Sequence, residues 1–280
     1  MTRSFVKKAF NNLVFVSMLM SPMGLADNNQ AVTEVTLENG LKVLVKTDNR
    51  APVAVAQLWY RVGSSYEPDG KTGVSHVLEH MILKARPGEA RGPLARTVQD
   101  AGGYLNARTG SDHTAFYQVV PSLQWEAVLG AQSKVLSSPH FEEESVDAER
   151  SVIIEEARMS ELNPSAFSWK RMMEGALAGS GYGRRITGSE ESLVRIDGRA
   201  LSEHFGRWYV PGNMVQVVVG DVDADRVIHR ARELLDRIGS SGGEARSGGT
   251  GGPSSGPPPV SSGPVGEDRM PEWTPGCVLA

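Results

Sequence analysis

The sequence predicts an α+β domain over residues 32–238. Three observations carry this: short apolar strand-like runs, segments of helical periodicity interspersed with them, and Gly or Pro breaks at the junctions. About 200 residues are enough to bury a substantial core. Val32 to Leu37 alternates, Asn39-Gly40 is a type I′ hairpin signal, and Leu41 to Lys46 returns as the second strand. Pro52 to Val62 is a long third strand. A helix follows from about Thr72 to Leu83, and Pro87-Gly88 breaks the chain beyond it. Pro93 to Ala101 is a second helix, with proline early and Gly102-Gly103 after its end. Tyr104–Thr109 and Thr114–Val120 read as strands. Pro121 opens a helix through Leu136, and a long acidic helix runs from Phe141-Glu142 to Leu162, stopped by Asn163-Pro164. Arg199 to Trp208 is helical, Met214 to Val219 is an apolar strand, and Ala224 to Ile238 is an amphipathic helix.

Both ends of the chain differ from this unit. Arg3, Lys7 and Lys8 precede the apolar run Leu13–Met20, and Gly24-Leu25-Ala26 offers small residues for cleavage, so residues 1–26 are expected to be a signal peptide. A run of about eight residues is too short for a stable membrane anchor. Cleavage after Ala26 would take the formal charge from −4 to −7 by removing those three cations. So acidic a chain argues against nucleic acid as a partner. The lone Cys277 has no intrachain disulfide partner. The expected location is the periplasm of a Gram-negative type cell, or outside it. Residues 239–280 are rich in Gly, Ser and Pro with no hydrophobic period, and are expected to be a disordered tail.

One run names a chemistry: His76-Val77-Leu78-Glu79-His80. Two histidines four apart share a helix face, so both imidazoles can reach one Zn²⁺. Glu79 between them can take a proton from water, and the order H-x-x-E-H inverts the commoner zincin motif. A site of this type needs a third protein ligand. On the acidic helix Glu149, Val152, Ile153 and Glu156 form one stripe, expected to face the core, with Glu149 and Glu156 as its inward carboxylates. Glu155 lies about 100° away. An inward carboxylate wants a cation, so Glu156 is the expected third ligand. His113, His140, His204 and His229 read as surface or capping residues, and Met159, Met172 and Met173 as core filler.

These stretches resemble the pitrilysin/insulinase family of inverted zinc metallopeptidases. The likeness rests on Gly73–Met81, on Gly102–Thr109 with Asp112, Thr114 and Tyr117, and on Glu149–Glu156. Gly181–Arg184, Gly188, Trp208-Tyr209 and Gly220-Asp221 match later landmarks, so the resemblance covers residues 32–238. It implies a mixed, mostly antiparallel sheet with helices packed on one face. It implies that His76, His80 and Glu156 bind zinc, that Glu149 supports the site, and that Glu79 is the general base of peptide hydrolysis. The strand carrying Leu105, Asn106 and Ala107 would hold an extended peptide by strand addition. The family uses at least two such domains per chain, so the second is expected to be missing here or supplied by a partner chain. Two functions follow: a zinc endopeptidase, or a truncated zinc-binding subunit that is inactive without its partner.

Overall fold

The computed structural model describes residues 31–239, apart from 86–88 and 90. The expected leader at 1–26 and the tail beyond Gly239 lie outside the described residues. Six strands form one sheet: β1 (Thr33–Thr36), β2 (Lys42–Thr47), β3 (Val53–Tyr60), β4 (Tyr104–Thr109), β5 (Thr114–Pro121) and β6 (Met214–Gly220). Their order is β1-β2-β6-β3-β5-β4. Only the β2–β6 pair is parallel, with Leu44 opposite Val217, and the others are antiparallel. The sheet is therefore mixed and mostly antiparallel, as expected.

Eight α-helices accompany it among the described residues. They are α1 (Val74–Leu83), α2 (Pro93–Asp100), α3 (Trp125–Ser137), α4 (Glu143–Glu161), α5 (Pro164–Ala176), α6 (Glu190–Leu193), α7 (Gly198–Trp208) and α8 (Ala224–Leu235). Alternate residues of the central strands are buried, among them Val43 and Val45 of β2, Ala54 to Tyr60 of β3, and Phe116 and Val120 of β5. Helices α1, α2, α3 and α8 pack against the sheet, and their apolar faces complete one core with these residues. Period-2 strands and period-3.6 helices thus share a single buried layer.

Several local expectations need correction. Asn39 does not take a positive φ, so the first hairpin is not type I′. Gly40 alone is left-handed (φ 89°), Gly40 N–H donates to Leu37 O, and Leu37 N–H donates to Leu41 O, which makes a longer turn with a bulge. The Asn39 side chain is drawn away to the end of α8, where it donates to Leu235 O at 2.8 Å. Pro121 closes β5 instead of opening α3, which starts at Trp125. Asn163-Pro164 stops α4 and at once begins α5: Asn163 Oδ1 accepts from Ser165 and Ala166 N–H, and proline needs no such partner.

The inward stripe of α4 is narrower than its sequence implied. Ile153 is fully buried, but Val152 is 52% exposed. The helix lies beside α1 at the margin of the core, so a residue 100° round from Ile153 already faces solvent. Met159 and Met172 are likewise exposed, not core filler. Truncating Ile153→Ala should cost about 2–5 kcal/mol by opening a cavity. Val152→Ala should cost within about 0.5 kcal/mol. Urea unfolding of both variants checks this, and equal losses would contradict the observed helix phase.

Candidate metal centre

Helix α1 carries both histidines of the motif, and α4 runs alongside it. Residues seven apart on α4 fall on one face after two turns, which brings both Glu149 and Glu156 toward α1. His80 Nε2 is 3.7 Å from Glu156 Oε2, and His76 Nε2 is 4.0 Å from the same oxygen. One donor atom from each of His76, His80 and Glu156 lies within 4.8 Å of the others, the one such group among the described residues. Ligands about 2.0–2.1 Å from a tetrahedral zinc ion lie roughly 3.4 Å apart, so this triad needs only a small contraction to hold one. Two imidazoles and a carboxylate are also a donor set zinc accepts.

Glu149 stands behind the cluster. Its Oε1 is 2.9 Å from His80 Nδ1, which leaves Nε2 directed at Glu156. Lys84 Nζ donates to the other Glu149 oxygen at 2.6 Å and to Ser145 O at 3.1 Å. A carboxylate that fixes the tautomer and plane of a histidine is the usual outer support of a metal site. The His80 and Lys84 hydrogen bonds hold the Glu149 carboxyl down at about 2. Burial opposes the charge on His80, yet the Glu149 hydrogen bond and three nearby carboxylates raise its pKa. His76 is pushed down to about 4 by burial, with the charge of His80 adding to it, so it is neutral at pH 7 and free to ligate. Its Nδ1 is buried with no hydrogen-bond partner among the described residues.

Glu79 is buried and turned to the sheet, where Thr109 Oγ1 donates to its Oε2 at 2.5 Å. Burial raises the Glu79 pKa against that hydrogen bond, and a carboxylate raised in this way is a stronger base at neutral pH. Thr109 ends β4, so the same strand that borders the cluster also orients its carboxylate.

The two carboxylates of α4 differ from expectation in burial. Glu149 is 16% exposed at its side chain, but Glu156 is 50% exposed. Glu156 faces the histidines from the solvent side and not from the core. Leu105, Asn106 and Ala107 sit on β4, a terminal strand whose far edge has no partner among the described residues. The Asn106 side chain is spent locally: Oδ1 accepts from Ala107 N–H at 2.8 Å, and Nδ2 donates to the Tyr104 hydroxyl at 2.9 Å.

The sequence reading missed several contributors. Lys84 carried a signal, lying four residues past His80 on the same side of α1. Thr109, Ser75 and His204 carried none, because their partners are distant in sequence. His204 is a correction: it is buried, not superficial, with Nε2 3.1 Å from Ser75 Oγ. By contrast His229 is exposed and pairs with Glu233, and His140 with Glu142, as surface residues do.

An α+β domain with an H-x-x-E-H helix facing a pair of carboxylates is the arrangement of an inverted-motif metallopeptidase. The comparisons with known proteins agree. The profile described as insulinase (peptidase family M16) matches residues 42–190, which include His76, Glu79, His80, Glu149 and Glu156. A second, described as the peptidase M16 inactive domain, matches residues 195–275. This chain belongs to the insulinase family, peptidase family M16. An uncharacterized zinc protease of Rickettsia felis is 28% identical over 202 residues, covering 72% of this chain and 49% of that protein. A protease structure from Helicobacter pylori aligns with a TM-score of 0.71 at 25% identity, covering 77% of this chain and 52% of that one. The first half of the periplasmic protease PqqL from Escherichia coli aligns at 0.68 and 25%, covering 77% and 48%. The chain spans less than half the length of the curated relatives it matches.

Burial also sets a pH dependence. It lowers His204 to about 3, below the ordinary histidine value of 6.5. A depressed histidine favours the fold above the unfolded value, and that contribution is lost as pH falls from 6.5 toward 3. At pH 5 the loss from this group is about 2 kcal/mol. Urea unfolding of metal-free protein at pH 7 and pH 5 should show wild type losing about that much more than His204→Gln. Parallel losses in the two proteins would contradict the buried neutral imidazole.

Proposed function

We propose that this chain carries the catalytic centre of an exported zinc endopeptidase, with His76, His80 and Glu156 as ligands and Glu79 as general base. The convergence of those three donor atoms, beside one buried carboxylate and in front of another, supports this reading most directly. A zinc ion held there supplies Lewis-acid polarisation of the peptide carbonyl and acidifies the attacking water.

The chain's own residues do the rest. Glu79 Oε1 takes the proton of the attacking water and returns it to the departing amine nitrogen. Thr109 keeps Oε2 fixed, so the carboxylate does not swing between the two transfers. Glu149 holds the His80 ring in plane, and Lys84 neutralises Glu149 in turn. An extended substrate adds to the open edge of β4 along Leu105, Asn106 and Ala107, with Asn106 releasing Ala107 N–H to the peptide backbone. Peptides or unfolded segments suit this mode, because a folded loop cannot present a free strand edge. The basic and apolar leader at 1–26 supports a periplasmic or secreted location.

A second reading is a zinc-binding subunit that needs a partner chain, or a second domain, to close over the substrate. The half-exposed Glu156 leaves the site open to such a cover. Hydrolysis of an unstructured fluorogenic peptide by the zinc-loaded chain separates the two. The first reading expects Glu79→Gln to lower the rate by at least about 10²-fold while zinc stays bound. Equal background rates in both proteins would leave only the subunit reading. Far less than one zinc ion per folded chain would exclude both.

A further inference from the structure

Glu67 is the most deeply buried acidic side chain among the described residues, and the chemistry above does not use it. A buried carboxylate is costly unless it is well partnered. No cation reaches its oxygens among the described ion pairs: Arg184 Nη1 instead donates to the carbonyls of Glu67 (2.6 Å) and Ser65 (3.2 Å). Its partners are two backbone groups and the Ser75 hydroxyl. Glu67 Oε2 accepts from Gly73 N–H at 2.7 Å, and Oε1 accepts from Ser75 N–H at 2.8 Å. These are free donors at the start of α1, the helix that carries the histidine pair.

That helix has no cap of its own. Its N-cap position is Gly73, left-handed at φ 95°, with no side chain to turn back on the first turn. A Cβ there would lie 2.9 Å from Gly188 Cα and Thr187 O, so the glycine cannot be exchanged for a capping residue. Glu67 does the capping from six residues away. Ser75 is held a second time by His204 of α7, through its hydroxyl. At ten residues α1 is too short to set its own boundaries by propensity. His76 and His80 are its third and seventh residues, and each residue of slip at its start would rotate both by about 100°.

We propose that Glu67 is a positioning residue of the metal centre, whose carboxylate fixes the start and phase of α1 and thereby aims His76 and His80 at Glu156. This rests on the zinc reading above. Zinc affinity of the full chain, measured by competition with a chromophoric chelator, tests it without reference to hydrolysis. Glu67→Gln swaps one acceptor oxygen for an amide donor facing a backbone N–H, and should weaken zinc binding about tenfold. Glu67→Ala should lose at least as much, and Glu67→Asp, which keeps both oxygens on a shorter arm, should recover part. The visible spectrum of Co²⁺ bound at the site should change in Glu67→Gln, as a merely stabilising cap would not require. Circular dichroism and thermal melts in chelator report whether each variant is folded. Zinc affinity within twofold of wild type in folded Glu67→Gln, with an unaltered Co²⁺ spectrum, would overturn the proposal. Should the Glu67 variants not fold, Ser75→Ala, which removes the hydroxyl's bonds to His204 and Glu67 but keeps both backbone bonds to Glu67, should still weaken zinc binding severalfold, and unchanged affinity would overturn the account of α1. A wild-type chain that binds no zinc would defeat the site reading itself, a result distinct from wild-type binding that Glu67→Gln leaves intact.

Discussion

The site depends on the side-by-side packing of α1 and α4. Each helix alone presents a row of polar side chains with no special property. Together they bring two imidazoles and two carboxylates into one cluster, with Glu79 on the sheet side. The contact is held by a narrow apolar seam, in which Ile153 and Val146 are the fully buried residues of α4. Most of the remaining α4 residues are half-buried or exposed, Val152 and Met159 among them.

Charge then shapes what the packing allows. Three carboxylates act on His80 and raise its affinity for a proton, whereas His76, more deeply buried, is kept neutral. A cation bound between them would relieve the crowding of negative charge. Lys84 already relieves part of it on the far side of Glu149. The cluster is thus graded, with a permanent cation at the back and room for an ion at the mouth, where Glu156 remains half exposed.

The fold serves this arrangement by anchoring α1 at both ends of its functional stretch. Glu67 and the glycine contact of residues 73 and 188 hold its start, while Glu149 and Lys84 tie its last turn to α4. The β4–β5 hairpin adds the third support through Thr109. The anchors thus come from several parts of the chain, His204 of α7 among them through Ser75.

Much of this was legible beforehand, for identifiable reasons. The spacing of His76 and His80 is a property of any α-helix, and the seven-residue spacing of Glu149 and Glu156 is another, so their shared faces follow from local geometry. The strands could be read from alternation because one sheet face is buried. Other features were not legible. The exposure of Val152 and Glu156 depends on how far α4 overhangs the core, which no periodicity encodes. Helix α5 was hidden because Asn163-Pro164 reads equally as a stop and as a cap followed by a first-turn proline. His204 looked superficial because its partner, Ser75, lies 129 residues away. By itself the sequence determined the donor types and their spacing within each helix, since both are set by neighbouring backbone. Only the tertiary structure decided which faces meet, how deeply each carboxylate lies, and which distant side chains hold α1 in phase, because those depend on contacts between segments that sequence distance does not order.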